Sequence, residues 1–333
     1  MATKQRKLDP STLKRFENAA AGHDGVMSDP TGELIIKPCT AAEIEFYQNT
    51  LTSHPEFAEM MPTFMGTLQL GSPANAPDVT ASSETQELTQ ADKDQQLKHG
   101  VKIATETAIV LENLEHGFKA PNVLDLKLGA RLYADGTSAE KAARLDKVAS
   151  ESTSGSLNFR IAGMKVWNGT SFDIYDKFYG RQFNADNVSD GFNTFFAGLS
   201  TGGTKAEVAQ ELLETIEAEI TKARHMLEKT ESRMYSASVL IVYEGDSSAL
   251  DVLMGAEPKT PRVDERAPTT REISKSMQEE EDEDEEQPPV AFKVKMIDFA
   301  HAAWTPGQGQ DENLIKGLKS VEKQMDNVIG RFD

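Results

Sequence analysis

Nine residues, "PNVLDLKLG" at 121–129, constrain the fold of this chain more than any other stretch. Leu124, Leu126 and Leu128 share one parity; Asp125, Lys127 and Gly129 share the other. Successive side chains leave a strand on opposite faces, so the alternation predicts a half-buried β-strand. One face is greasy. The other shows an acid, a base and bare backbone, and any account of the protein has to find a use for that order.

The neighbouring elements follow from the same periodicities. "VAFKVKMIDFAH" at 290–301 alternates again, with Val290, Phe292, Val294 and Met296 on one face and Asp298 next on it. "SASVLIVYEG" at 236–245 is continuously apolar in its middle, as a buried central strand is, and "TAIVLENL" at 107–114 reads likewise. "GELIIKP" at 32–38 is a strand carrying Lys37. Thr40 and Glu43 then form a capping box opening a helix with Ile44, Phe46, Tyr47 and Leu51. Thr204 and Glu207 form a second such box. It opens a long amphipathic helix striped by Val208, Leu212, Ile216, Ile220, Ala223 and Leu227. Asn168-Gly169, between two strand-like runs, predicts a type I′ hairpin. Leu314, Leu318, Val321 and Met325 stripe a closing helix.

Two stretches, about 72–99 and 255–289, are too polar to bury surface and read as inserted loops. The second contains "EEEDEDEE" at 279–286, the largest single contribution to a net charge of -19. That balance argues against a general nucleic-acid binder, which would carry a basic footprint. An anionic substrate then requires cations gathered locally against the global field. The single cysteine, Cys39, excludes an intramolecular disulfide and reads as a buried bystander. The N-terminus lacks the apolar core of a secretion signal, and no apolar run is long enough to span a bilayer, so the expected setting is intracellular.

Lys37 on an early strand followed by a helix, the Asp125-x-Lys127 pair and Asp298 at the end of a late strand, taken together and in that order, fit phosphoryl transfer from ATP. That reaction needs a cation on the nucleotide phosphates, a carboxylate holding Mg2+ and groups orienting the attacking hydroxyl.

The residues Pro121-x-x-x-Asp125-x-Lys127-x-Gly129 resemble the PxxxDxKxG signature of the inositol phosphate kinase family. The likeness extends through "SLNFRIAGMKV", "DKFYGR", "SASVLIVYE" and "MIDFAH", and is to the fungal multikinase branch. It implies an α+β, two-lobed kinase fold related to protein kinases, with antiparallel sheets and helices in each lobe. The N-lobe would be 1–115 and the C-lobe 116–333, each holding one of the inserted loops. The cofactors implied are ATP and Mg2+, and the substrates inositol polyphosphates, from inositol 1,4,5-trisphosphate to the tetrakis- and pentakisphosphate.

Residue by residue, the resemblance puts Lys37 on the ATP phosphates, with Glu45 as its expected ion-pair partner. Glu112 and Leu114 fall at the adenine-binding hinge. Asp125 meets the ribose and lies near the acceptor hydroxyl, and Lys127 bridges the transferred phosphate and the inositol phosphate. Asp298 holds the metal, with Ser238 adding an oxygen, and His301 touches substrate. Gly129 would let polyphosphates approach the backbone. Lys141, Arg144 and Lys147 recur every three residues behind Ser138 as N-cap. On spacing alone they fit a substrate cluster and a solvated helix face equally well; the family's inositol-binding segment favours the former. Arg181 is a further candidate, against a structural salt bridge.

A monomer in nucleus and cytoplasm is expected, with no direct nucleic-acid contact. The alternative function is a nuclear scaffold or transcription-regulatory protein docking transcription or chromatin factors through the acidic loop. A pure scaffold would have no need of the full set Lys37, Asp125, Lys127 and Asp298. A protein kinase is disfavoured by the absence of "HRD".

Overall fold

The computed structural model describes residues 12–16, 25–70, 105, 107–255 and 290–332. The expected loop at 72–99, and all but the first residue of that at 255–289, lie outside the described residues. The chain begins with β1 (Lys14–Arg15), β2 (Met27–Ser28), β3 (Leu34–Pro38), α1 (Ala41–Ser53), α2 (Pro55–Ala58), β4 (Phe64–Gln69) and β5 (Thr107–Glu112). It continues with β6 (Pro121–Leu128), α3 (Ala139–Ser150), α4 (Thr153–Leu157), β7 (Phe159–Trp167), β8 (Phe172–Tyr175), α5 (Lys177–Gly180), α6 (Ser189–Thr201) and α7 (Ala206–Lys229). β9 (Ser232–Met234), β10 (Ser238–Glu244), α8 (Ser247–Gly255), β11 (Phe292–Ile297), β12 (Ala302–Trp304) and α9 (Glu312–Ile329) complete it.

The class is α+β. One five-stranded sheet has the order β1-β2-β3-β5-β4, the other β11-β10-β6-β7-β8, and β12 pairs with β9. Neighbouring strands are antiparallel throughout. The strand of the "PNVLDLKLG" stretch, β6, is the middle of the second sheet. Leu124, Leu126 and Leu128 are fully buried in the main core, with the stripes of α7 and α9. The other face departs from the half-buried expectation: Asp125 is 5% exposed and Val123 2%. It is covered because the first sheet and the segment linking the sheets close over it, through Lys37 to Asp298 and Glu115 to Lys165.

Directly opposed residues in antiparallel strands point to one side, so the register writes out this covered face. One row across β7, β6, β10 and β11 is Lys165, Val123, Val242, Lys293; the next is Gly163, Asp125, Leu240, Lys295; the third is Arg160, Lys127, Ser238, Ile297. On the two central strands the apolar pair Val123 and Val242 gives way to Asp125 and then to Lys127 and Ser238. Phe299, just past β11, stacks on Phe46 of α1 at 4.8 Å and meets Tyr47 edge-on, joining the core across both sheets.

Four local expectations need correction. Lys205, not Thr204, is the N-cap of α7, and it makes no side-chain capping bond. The β7–β8 turn is not a two-residue type I′ turn. Trp167 pairs with Phe172, leaving four residues between, and only Gly169 of them has positive φ. Leu51 of α1 is 48% exposed rather than core. The parity of β11 does not carry through to Asp298, for a reason given below.

Candidate active site

Ile36 and Lys37 divide β3 between two environments. Ile36 packs outward with Ala108 and Val110, which turns Lys37 inward, toward the second sheet. Its ammonium lies 2.8 Å from Glu43 and 2.8 Å from Asp298. Burial alone would favour the neutral amine, but Asp298 and Glu43 outweigh it and hold the lysine pKa above its ordinary value. The expected partner Glu45 is on the exposed side of α1. Thr40 accepts a hydrogen bond from the Glu43 N–H while the Glu43 carboxylate goes to Lys37, so the capping residue does both jobs.

Asp298 has φ 67°, in the left-handed region. An extended residue there would point with Met296 into the core. The left-handed turn reverses it, and its carboxylate meets Lys127 at 3.7 Å as well as Lys37. Asp298 therefore lies on the Ile297–Ser238–Lys127 side, opposite to the parity expectation. Lys127 also donates to the Ser236 carbonyl at 2.8 Å.

Asp125 sits one row away. Burial pushes its pKa up to about 6; Lys127 opposes that rise and Asp298 adds to it. Asp125 Oδ1 and Ser238 Oγ are buried without a well-formed hydrogen bond, although Ser238 lies close enough to Asp125 to oppose the rise in its pKa. With Asp298 they make a set of hard oxygen donors, which suits a small divalent cation. Among the described residues no three His, Cys, Asp or Glu side chains group to enclose a metal. Such a cation would complete its shell with water and nucleotide phosphates, as Mg2+ commonly does.

Farther along the same face the chemistry turns apolar. Leu114, Val123 and Val242 are buried together, with Phe118, Leu240 and Ile297 packed around them, an apolar patch beside the charged residues. Glu112 ends β5 beside it, donating its N–H to the Thr63 carbonyl at 3.0 Å. Cys39 is buried, and burial raises its thiol pKa to about 11, as befits a bystander.

On the other side lie the cations expected to meet substrate. Ser138 caps α3, accepting from the Lys141 N–H. Successive steps of three residues drift by about 60° around a helix, so the three cations fan out instead of sharing a face. Lys141 reaches the site: partial burial, then Lys141, then Lys127 push the His301 pKa below the ordinary histidine value, with Glu43 opposing. Lys147 points away and pairs with Glu151 at 3.8 Å. The glycine of the signature has a structural job as well. Gly129 has φ 92°, and a Cβ there would collide with the Asn313 side chain, which accepts from the N–H groups of Ala130 and Arg131. Docking of α9 on the turn is enough to require a glycine here.

A second cation group joins Arg181, a candidate from the sequence, to Arg160, which was not read from it. Arg160 is 8% exposed, directly opposite Lys127, and donates to Ser154 Oγ at 2.8 Å. Burial and Arg181 lower its pKa to about 10, and Asp125 opposes them. Gly180 packs flush on the Ile161 backbone, which brings Arg181 beside Arg160. Arg181 Nε is buried without a partner. Neither arginine makes a salt bridge among the described residues, so the competing account of Arg181 fails. An unpaired buried cation costs several kcal/mol whereas one on an exposed helix costs little, so Arg160 is the stronger mark of an anion site. Its lack of a sequence signal is understandable: it is one of only two charges, with Lys165, inside an otherwise apolar strand.

The arrangement thus has an apolar patch, a cation–carboxylate–cation line and two arginines without a carboxylate partner among the described residues. Comparison with known proteins agrees with it. The sequence profile of the family "Inositol polyphosphate kinase" matches residues 108–326. The inositol polyphosphate multikinase of Saccharomyces cerevisiae is 31% identical over 92% of this chain and 96% of its own length. That of Schizosaccharomyces pombe is 28% identical over 93% and 95%. A crystal structure of the inositol phosphate multikinase from S. cerevisiae in complex with ADP and Mn2+ superposes with a TM-score of 0.63. Its sequence identity is 27%, covering 90% of this chain and all of that one.

Proposed function

The chain belongs to the inositol polyphosphate kinase family and is a kinase of inositol phosphates. From that premise we propose that it moves the γ-phosphate of ATP to inositol 1,4,5-trisphosphate, and then to the tetrakisphosphate so formed, ending at the pentakisphosphate. The observation that carries this reading is the line Lys37–Asp298–Lys127, which crosses from the first sheet to the second beside buried Asp125. The two sheets are taken as an N-lobe within 1–115 and a C-lobe within 116–333.

Lys37, kept charged by Glu43 and Asp298, lies where it can hold donor phosphates. Lys127 stands between donor and acceptor sides and meets negative charge as it moves. Asp125, ionised above about pH 6, accepts a hydrogen bond from the ribose or the attacking hydroxyl. Asp298, with Ser238, would hold Mg2+, which supplies charge neutralisation at the phosphate oxygens. The complex of the yeast multikinase with ADP and Mn2+ supports ATP and a divalent cation here. Arg160, Arg181 and Lys141 are assigned to phosphates that do not react. His301, at the rim between Lys141 and Lys127, is assigned to the inositol ring.

Purified full-length protein with ATP, Mg2+ and each inositol phosphate, its products separated by chromatography, tests the reading. Tetrakis- and then pentakisphosphate should accumulate from the trisphosphate. Turnover of some other inositol phosphate but not this one would refute the proposed substrate order.

A further inference from the structure

Three non-glycine residues have positive φ among the described residues: Asn158, Ser236 and Asp298. Two of the three are the protein partners of one ammonium. Lys127 Nζ donates to the Ser236 carbonyl at 2.8 Å and faces Asp298 Oδ2 at 3.7 Å. Backbone strain of this kind persists only where surrounding structure over-determines it, and its concentration on a single lysine is the observation that needs explaining.

Ser236 is held from several directions. The N–H of Tyr235 donates to the His301 carbonyl at 3.1 Å, and that of Met234 to Asp311 Oδ2 at 2.8 Å. The Ser236 hydroxyl donates to the Leu132 carbonyl at 2.9 Å, and the Leu128 N–H to the Ala237 carbonyl at 2.8 Å. The turn is therefore stitched to the end of β6, to the loop entering α3 and to the segment bearing His301. A lysine ammonium has three protons on a flexible stem. One goes to Ser236 and one toward Asp298, which leaves the third direction defined and available to a phosphate oxygen.

We propose that Ser236 is a positioning residue for phosphoryl transfer: its left-handed backbone turns a carbonyl onto Lys127 and fixes where that ammonium points. The proposal rests on the role given to Lys127 above. The conformation matters here, not the hydroxyl, and glycine adopts it freely while a β-branched side chain resists it.

The test compares Ser236→Gly with Ser236→Val in full-length protein, using ATP, Mg2+ and inositol 1,4,5-trisphosphate. Ser236→Gly should keep kcat within about threefold of wild type; Ser236→Val should lose about tenfold or more, with KM for ATP unchanged. In a Lys127→Met background Ser236→Val should cost no further kcat, because the group it positions is gone. That non-additivity is a readout that a purely structural role would not produce, and thermal melts of each variant keep folding losses separate. The proposal is overturned if Ser236→Val retains kcat, if both substitutions cost the same, or if the Val effect persists undiminished without Lys127. Wild-type protein that phosphorylates no inositol phosphate would instead overturn the functional reading itself.

Discussion

A carboxylate buried as deeply as Asp125 works against the fold that carries it. An aspartate in the unfolded chain loses its proton near pH 4, whereas folded Asp125 keeps its proton until about pH 6. Between those values the folded state binds more protons, so stability falls as pH rises through the window, and the full penalty stands above it. Asp125→Asn is expected to stabilise the protein by roughly 1–3 kcal/mol at pH 7.5 and not at all below pH 4, while turnover is lost. Calorimetry at both pH values checks this; an equal change at each would mean that Asp125 is not the titrating group. The Lys37 pairing is resolved at the same scale. Glu43 and Glu45 lie about 200° apart around a helix, so only one can face Lys37. The capping motif concealed which, because Glu43 caps through its backbone and pairs through its side chain. Glu43→Gln should lower kcat/KM for ATP tenfold or more, and Glu45→Gln should leave it unchanged; the reverse result would restore Glu45.

Strands and helices decide what those residues can reach. Period-two alternation told which side of β6 each residue takes, but not that both sides are covered, since a strand's own sequence does not report what packs on it. Parity failed at Asp298 because a single left-handed residue reverses it, and no composition rule announces one at an aspartate. On α3 the three-residue spacing was legible, while the drift that sends Lys147 outward was missed. These placements predict a division of labour. Lys127→Ala should cost kcat roughly a hundredfold or more, since its charge is met during transfer. Arg160→Met should raise KM for the inositol phosphate, more steeply for more phosphorylated substrates, with KM for ATP unchanged. Removing Lys141 and Arg144 should act in the same direction but more weakly, and removing Lys147 alone should do nothing. Steady-state kinetics that place the Arg160 effect on ATP would move that arginine to the nucleotide side.

Across the whole molecule, the site depends on contacts remote in sequence. Lys37 and Asp298 are 261 positions apart, and the sheet orders set by such pairings leave no local periodicity to read. Family likeness supplied the two-sheet architecture and the convergence of Lys37, Asp125, Lys127 and Asp298; individual residues alone would not have. Every residue assigned to the site lies outside 256–288, so deleting that segment should change kcat and KM less than twofold. A collapse in rate or melting temperature would give it a part in the catalytic body. The central claim is that the line Lys37–Asp298–Lys127 carries phosphoryl transfer to inositol phosphates. The most direct test follows label from γ-labelled ATP into inositol trisphosphate with wild-type protein and with Asp298→Asn. Wild type should label tetrakis- and pentakisphosphate, while Asp298→Asn, melting within a few degrees of it, should label neither; labelling at the wild-type rate by Asp298→Asn would contradict the account.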